Sequence, residues 1–379
     1  MAVIFIPGIK GSELVDTYAP DWPSRWTRPV ADPMALALDG GMDHWLQPTR
    51  LLDEAYGPIM HKLRAWLAPE PVYAFSYDWR QRLEVSAKRL VAMLEEVCER
   101  EHQAGRSPQL KFVTHSMGGL LLRSALTLRN RREPLSGIER VAFIAPPFRG
   151  SIGATYALVV GETDAWFGTD RSERRIVRGF PSVYQMTPSW PGAAVNEHGR
   201  GVDLFNPDNW QANVAGGETF QPTFLRDAGA FARGRKTHRG GHSNAPMVPD
   251  AALAKAADKV LVICGSGQPT PCALPVLTKN RPNPNWFDFA HADVDTRGDG
   301  RVWLPSAAIK GVRLAAFDNI GEHALTCRDP RVASLTSLWL QGHGALMLKP
   351  RTASDPVKRR RRYFPVFDGD IDSLGKHIA

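Results

Sequence analysis

The segment Lys111-Phe112-Val113-Thr114-His115-Ser116-Met117-Gly118-Gly119 runs a β-rich stretch into a serine flanked by small residues, and then into the apolar run Leu120 to Leu126. A serine on a sharp strand-to-helix turn is held in strained backbone angles with its hydroxyl projecting, so its neighbours must be small enough for the chain to pass. Gly118 and Gly119 meet that need, while Thr114 stands where the pattern prefers glycine. The following helix would place its positive N-terminal end near Ser116, where negative charge is favoured. A serine in such a turn is a candidate nucleophile, and a nucleophilic serine needs a base, a group that orients the base, and donors for an oxyanion.

These partners are expected downstream in the order serine, acid, histidine. His323, in Ile320-Gly321-Glu322-His323-Ala324-Leu325, is the candidate base because it follows the last expected strand and precedes the last expected helix, Val332 to Leu340. His291 precedes the acid candidates and His343 falls after that helix, so both fit the order less well. Asp299 is the candidate acid: in Arg297-Gly298-Asp299-Gly300-Arg301 glycines let the chain bend so that a carboxylate can face an imidazole. Asp293, Asp295 and Asp318 are alternatives. Asp293 to Asp299 also resembles the start of a calcium loop, but Arg297 occupies a ligand position and Leu304 stands where a bidentate glutamate belongs. The oxyanion donors are expected to be the backbone N–H of Met117, next to the nucleophile, and one from the turn Pro7-Gly8-Ile9-Lys10-Gly11, for which Ile9 is the choice.

Something must hold these residues in place. Strand-like runs occur at Val3 to Ile6, Val72 to Ser76, Leu110 to Thr114, Val141 to Ala145, Val260 to Cys264 and Val312 to Phe317. Between them the clearest helix is Gln81 to Glu101, where Leu83, Ala87, Leu90, Val91, Leu94, Val97 and Cys98 recur at three- and four-residue spacing. Alternating strands and helices predict an α/β class with a mostly parallel sheet covered on both faces. Two stretches break the rhythm: about 12–67, with Trp22, Trp26, Trp45 and Trp66, and about 150–254. Both follow strand ends where open α/β sheets bind ligands, so they are read as a lid and a cap insertion on a catalytic domain spanning 1–349. Tryptophans there would either contact a lipid or fill a core.

With 379 residues and 43% hydrophobic composition, the chain can bury a large core, and no apolar run reaches the ~18 residues of a membrane span. The first residues read as a core strand, so no cleavable signal is expected and a cytoplasmic location is the default, with signal-independent export open. Four scattered cysteines suit neither a disulfide framework nor a zinc site, and no metal or cofactor is expected. The net charge of +8 is concentrated: between Lys349 and Arg362 seven basic residues face only Asp355. A nearly neutral body with a basic tail, 350–379, makes nucleic acid an unlikely partner and points to a solvated segment or to contact with anionic membranes. Composition leaves the oligomeric state open.

Several motifs are similar to those of the lecithin:cholesterol acyltransferase and lysosomal phospholipase A2 family of α/β-hydrolases. They are Phe5-Ile6-Pro7-Gly8-Ile9-Lys10-Gly11-Ser12, Tyr77-Asp78-Trp79-Arg80, His115-Ser116-Met117-Gly118-Gly119, Ala145-Pro146-Pro147-Phe148-Arg149-Gly150, Pro181 to Met186, Gly298-Asp299-Gly300-Arg301-Val302 and Glu322-His323, in family order. The chain departs from the pattern at Thr114, Arg301 and Pro147-Phe148-Arg149, and the tail after Lys349 has no counterpart. The resemblance implies an α/β-hydrolase fold, Ser116, Asp299 and His323 as the triad, and Ile9 and Met117 as the oxyanion hole. It also implies a lipid acyl ester as substrate, the acyl group passing through Ser116 to water or an alcohol. Two other readings are an esterase acting on non-lipid acyl substrates and a catalytically silent hydrolase-shaped protein that binds membranes or nucleic acid through its tail.

Overall fold

The computed structural model describes residues 1–16, 38, 46–161, 170–217, 219–234, 247–279 and 285–343. Trp22, Trp26, Trp45 and the basic tail lie outside them. Six strands form one all-parallel sheet: β1 (Ala2–Ile6), β2 (Val72–Ala74), β3 (Leu110–His115), β4 (Ile138–Ile144), β5 (Val260–Ser266) and β6 (Arg313–Asp318), in spatial order β6-β5-β4-β3-β1-β2. Parallel strands need crossover connections, which place helices on both faces and leave the strands buried on both sides. The run Ala-Val-Ile-Phe-Ile of β1 is fully buried for that reason.

Side-chain alternation along the strands sorts the interior into two cores. Ala2, Ile4, Ile6, Phe112, Val141, Phe143 and Val262 face one side, where α2 (Leu83–Gln103) and α3 (Met117–Arg129) bring Leu83, Leu90, Leu94, Leu121 and Leu122. Val3, Phe5, Val113, Ile144, Ile263 and Phe317 face the other, against Tyr56, Ile59 and Leu63 of α1 (Asp53–Trp66) and Val332, Leu335 and Trp339 of α4 (Pro330–Leu340). Trp339 is fully buried and its indole N–H donates to the Val141 carbonyl at 3.0 Å.

Every expected strand and helix is present, with ends shifted by a few residues where capping and pairing decide. The described residues of 150–254 form mostly short helices, among them Ile152–Val159 and Pro222–Ala232. They are tied to the start of α2: the Gln185 side chain accepts from the Leu83 N–H at 2.8 Å and donates to Glu84 at 2.7 Å, and Arg82 pairs with Asp227 at 2.6 Å. A second, small sheet was not foreseen. It centres on Thr270–Leu277, which pairs with Ala194–Asn196, Trp286–Phe287 and Asp293–Asp295 and so joins the region 150–254 to the segment that carries Asp299. Among the described residues no helix is long and apolar enough to cross a membrane, and the four cysteines are unpaired.

The expectation that 12–67 forms a lid is corrected in its second half. Residues 53–66 are the core helix α1, and Ser12–Asp16 pairs with Leu46–Leu51 in an antiparallel ribbon at its entry. Trp66 caps the far end of α1, ten residues beyond Tyr56, which at 1.5 Å per residue is about 15 Å away. Its partly exposed ring lies under the Lys62 ammonium.

Helix α3 packs closely against the end of β1. A Cβ at Gly118 would stand 2.5 Å from the Pro7 carbonyl oxygen and 2.6 Å from that of Ile6, whereas one at Gly119 would meet the Pro146 and Phe143 side chains at 3.1 and 3.2 Å. Backbone cannot yield as side chains can. Gly118→Ala is therefore expected to destabilise the protein by about 1–3 kcal/mol or more, with Gly119→Ala milder, both read as shifts in thermal unfolding.

Candidate active site

β3 ends at His115 and α3 begins at Met117, leaving one residue to reverse the chain. Ser116 makes that turn at φ 51° and ψ −126°, a conformation side chains other than glycine rarely adopt. Its own N–H is spent on the Ile144 carbonyl of β4 at 2.8 Å. The next N–H, that of Met117, belongs to the first turn of α3, whose amides have no acceptor within the helix. Thr114, the departure from glycine, fits because the elbow's tight approach falls at Gly118 instead. The Thr114 hydroxyl is buried beside Gly119 and has no hydrogen-bond partner.

His323 opens a short 3₁₀ helix, His323–Arg328, after the end of β6. Its Nε2 lies 2.8 Å from Ser116 Oγ and its Nδ1 lies 2.7 Å from Asp299 Oδ2. A carboxylate accepts, so Nδ1 carries the proton and Nε2 is left to accept from the serine hydroxyl. The His323 N–H also donates to the Asp299 carbonyl at 3.1 Å, which ties the two loops by their backbones as well.

Asp299 is 2% exposed. Burial alone would raise its carboxyl, but His323 and the N–H groups of Val302 and Arg301, donating to Oδ1 at 2.8 and 3.1 Å, outweigh that and hold it below the usual aspartate value. The other carboxylates are occupied elsewhere or stand apart. Asp295 binds the Arg297 guanidinium and the Trp303 indole N–H, Asp293 is exposed on its short strand, and Asp318 ends β6. Of the rival histidines, His291 is 80% exposed and pairs with Asp288, and His343 is exposed beyond α4.

The turn after β1 is closed by the Gly11 N–H donating to the Gly8 carbonyl at 3.1 Å. It lies flush against the nucleophile: a Cβ on Gly8 would stand 2.9 Å from Ser116 Cβ. Ile9 follows directly, so the turn and the first amide of α3 flank Ser116 from two sides. The structure thus gathers Ser116, His323, Asp299, Met117 and the Ile9 turn around the C-terminal ends of the parallel strands.

Two further polar groups lie here that sequence reasoning did not single out for this role, Tyr56 and the ring of His115. His115 Nδ1 is 2.9 Å from the Tyr56 hydroxyl, and the His115 and His323 rings stack at 5.1 Å. No periodicity or motif links Tyr56 to the serine, because its chain neighbours mark only one face of an amphipathic helix.

Residues 44–211 match the family described as lecithin:cholesterol acyltransferase. Among solved structures, a chain of the Tle4–Tli4 complex is similar with a TM-score of 0.53 at 14% identity, covering 92% of this chain and 98% of that one. The mature form of the Bacillus licheniformis lipase BlEst2 is similar with a TM-score of 0.37 at 13% identity, covering 86% of each chain. No curated protein matches the sequence. At such identity the Tle4–Tli4 likeness speaks for the fold, and the family match speaks for the segment that holds α1 to α3 and part of the cap. Sheet order and the strand–serine–helix turn give this chain the α/β-hydrolase fold, and its residues 44–211 are similar to the lecithin:cholesterol acyltransferase family.

Proposed function

We propose that the protein is a serine acyl-ester hydrolase or acyltransferase acting on lipid acyl esters. The observation that carries this reading is the unbroken line from Ser116 Oγ through His323 to Asp299, at 2.8 and 2.7 Å, behind a serine held in a strained turn. In the proposed reaction His323 Nε2 takes the Ser116 proton as Oγ attacks the ester carbonyl, and the charge on the carbonyl oxygen is met by the N–H groups of Met117 and Ile9. The intermediate collapses to an acyl-enzyme, and His323 returns the proton to the departing alcohol oxygen. Asp299 keeps the imidazole in the Nδ1–H tautomer and stabilises the imidazolium while it exists. Water or an alcohol, deprotonated by His323, then attacks the acyl-enzyme and frees Ser116.

The lipid part of the reading comes from the family match, whose name refers to an acyltransferase of lecithin and cholesterol. Partition between water and alcohol is set by how dry the covered site keeps the acyl-enzyme.

Ser116→Ala is expected to abolish labelling by a fluorophosphonate probe and to lower ester turnover about 10⁴-fold or more, with the fold intact by circular dichroism. Labelling that persists in this variant would place the nucleophile elsewhere. Asp299→Asn keeps the shape but presents the wrong hydrogen to His323, and should lower kcat by about 10²- to 10⁴-fold with KM little changed. Lipid analysis of phospholipid vesicles incubated with wild type and Ser116→Ala, with and without a long-chain alcohol, tests the substrate class. Released fatty acid or a new ester is expected from wild type alone. Rapid cleavage of soluble short-chain esters with intact phospholipid would instead favour a non-lipid esterase.

A further inference from the structure

The reaction above uses neither Tyr56 nor the His115 ring, yet both are buried polar groups, each 3% exposed, immediately behind the base. Their hydrogen bonds run in one direction. The Gly8 N–H donates to the Tyr56 hydroxyl oxygen at 3.0 Å, and that hydroxyl lies 2.9 Å from His115 Nδ1. On the far side His115 Nε2 lies 3.3 Å from the backbone carbonyl of His323. A carbonyl only accepts, so Nε2 carries the proton and Nδ1 must accept from Tyr56. This tautomer is neutral, in keeping with burial and the neighbouring His323, which push the His115 imidazole down to about 3.

The geometry points to Tyr56 and His115 as positioning residues that hold the oxyanion turn and the base in register on either side of Ser116. The proposal rests on the reading of Ser116, His323 and Asp299 as the reacting groups. At one end Gly8 is the residue before the Ile9 donor and is packed against Ser116. At the other end His115 grips the backbone of His323 and stacks on its ring at 5.1 Å with 29° between the planes. The Tyr56 ring is itself fixed edge-on between Phe5, at 5.2 Å, and His115, at 5.6 Å. Neither side chain reaches the reacting atoms. Their effect is exerted through the placement of Ile9 and His323, and displacements of about an ångström at such groups cost orders of magnitude in rate. A positioning effect falls on kcat, because the aligned geometry is needed in the transition state and not for ground-state binding.

The test uses the full chain, a p-nitrophenyl ester as substrate, and active sites titrated with a fluorophosphonate so that only folded, competent sites are counted. Tyr56→Phe keeps both edge contacts and loses the hydroxyl; His115→Phe keeps the stack and loses both hydrogen bonds. Each is expected to lower kcat per titrated site about tenfold or more, with KM within about twofold of wild type, and to slow fluorophosphonate labelling in parallel. His115→Gln, whose amide can accept from Tyr56 and donate to the His323 carbonyl, is expected to recover most of the loss. Values of kcat per site and labelling rates within twofold of wild type in Tyr56→Phe and His115→Phe would overturn the proposal, even if both variants were less stable. So would His115→Gln no better than His115→Phe. Should the phenylalanine variants fail to fold, His115→Gln and His115→Ala make the same comparison. Ser116→Ala is measured alongside: activity retained there would sink the reading of the nucleophile, a result separate from any failure of the relay.

Discussion

Ser116 occupies a backbone conformation that costs on the order of 1–3 kcal/mol and persists only where the surroundings over-determine it. Those surroundings are the parallel sheet. β3 is clamped between β1 and β4, the Ser116 N–H is tied to Ile144 of β4, and α3 is pressed onto the carbonyl oxygens of Ile6 and Pro7 through the bare Cα of Gly118. The turn therefore cannot relax without moving three strands. The same clamp creates the geometry that chemistry needs, since a helix starting one residue after the serine must offer its first amide beside the serine oxygen.

The other parts of the site hang from the ends of neighbouring strands. Asp299 lies in the excursion between β5 and β6, and His323 just beyond β6, so pairing of those two strands brings the acid and base segments together. The small sheet around Thr270–Leu277 shapes that excursion from the cap side. The Gly300 N–H donates to the Thr270 hydroxyl, and the Ser151 hydroxyl donates to the Arg301 carbonyl. The loop that carries Asp299 is thus tied both to the small sheet and to Ser151 at the start of the region 150–254, and the Asp299 carboxylate inherits its orientation from both.

The sequence made the main sheet legible because a strand buried on both faces reads as a continuous apolar run, and because α2 repeats its apolar residues at helical spacing. The meeting of Ser116, Asp299 and His323 at hydrogen-bond distance could be expected from the sequence because each carries a local signature, small neighbours or a strand end, that fixes its place in the chain order. The small sheet was not legible: its strands are two to eight residues long and pair with partners up to about 80 residues away, which no local pattern announces. Helix α1 was masked by its neighbourhood. Residues 12–67 are crowded with prolines, glycines and tryptophans that suggest an irregular lid, and Pro58 and Gly57 sit within the helix itself. Pro58 is tolerated because it falls in the second turn, close to the start, where a missing N–H removes little of the hydrogen-bond ladder.

Reassigning α1 from lid to core changes how its two ends are understood. Because crossover helices run antiparallel to the strands, the N-terminal end of α1 must arrive at the C-terminal edge of the sheet, where the site is. Tyr56, one turn in, faces His115, while Trp66 is carried to the opposite edge, its exposed ring under the Lys62 ammonium and its backbone carbonyl accepting from the Gln341 side chain just past α4. Only the first of these lies beside the turn that carries Ser116. Among the described aromatic residues of this segment, the one that meets the turn at Ser116 is therefore the buried Tyr56, its hydroxyl bonded to Gly8 and His115, and it was hidden from sequence reasoning by the very tryptophans that drew attention to the segment.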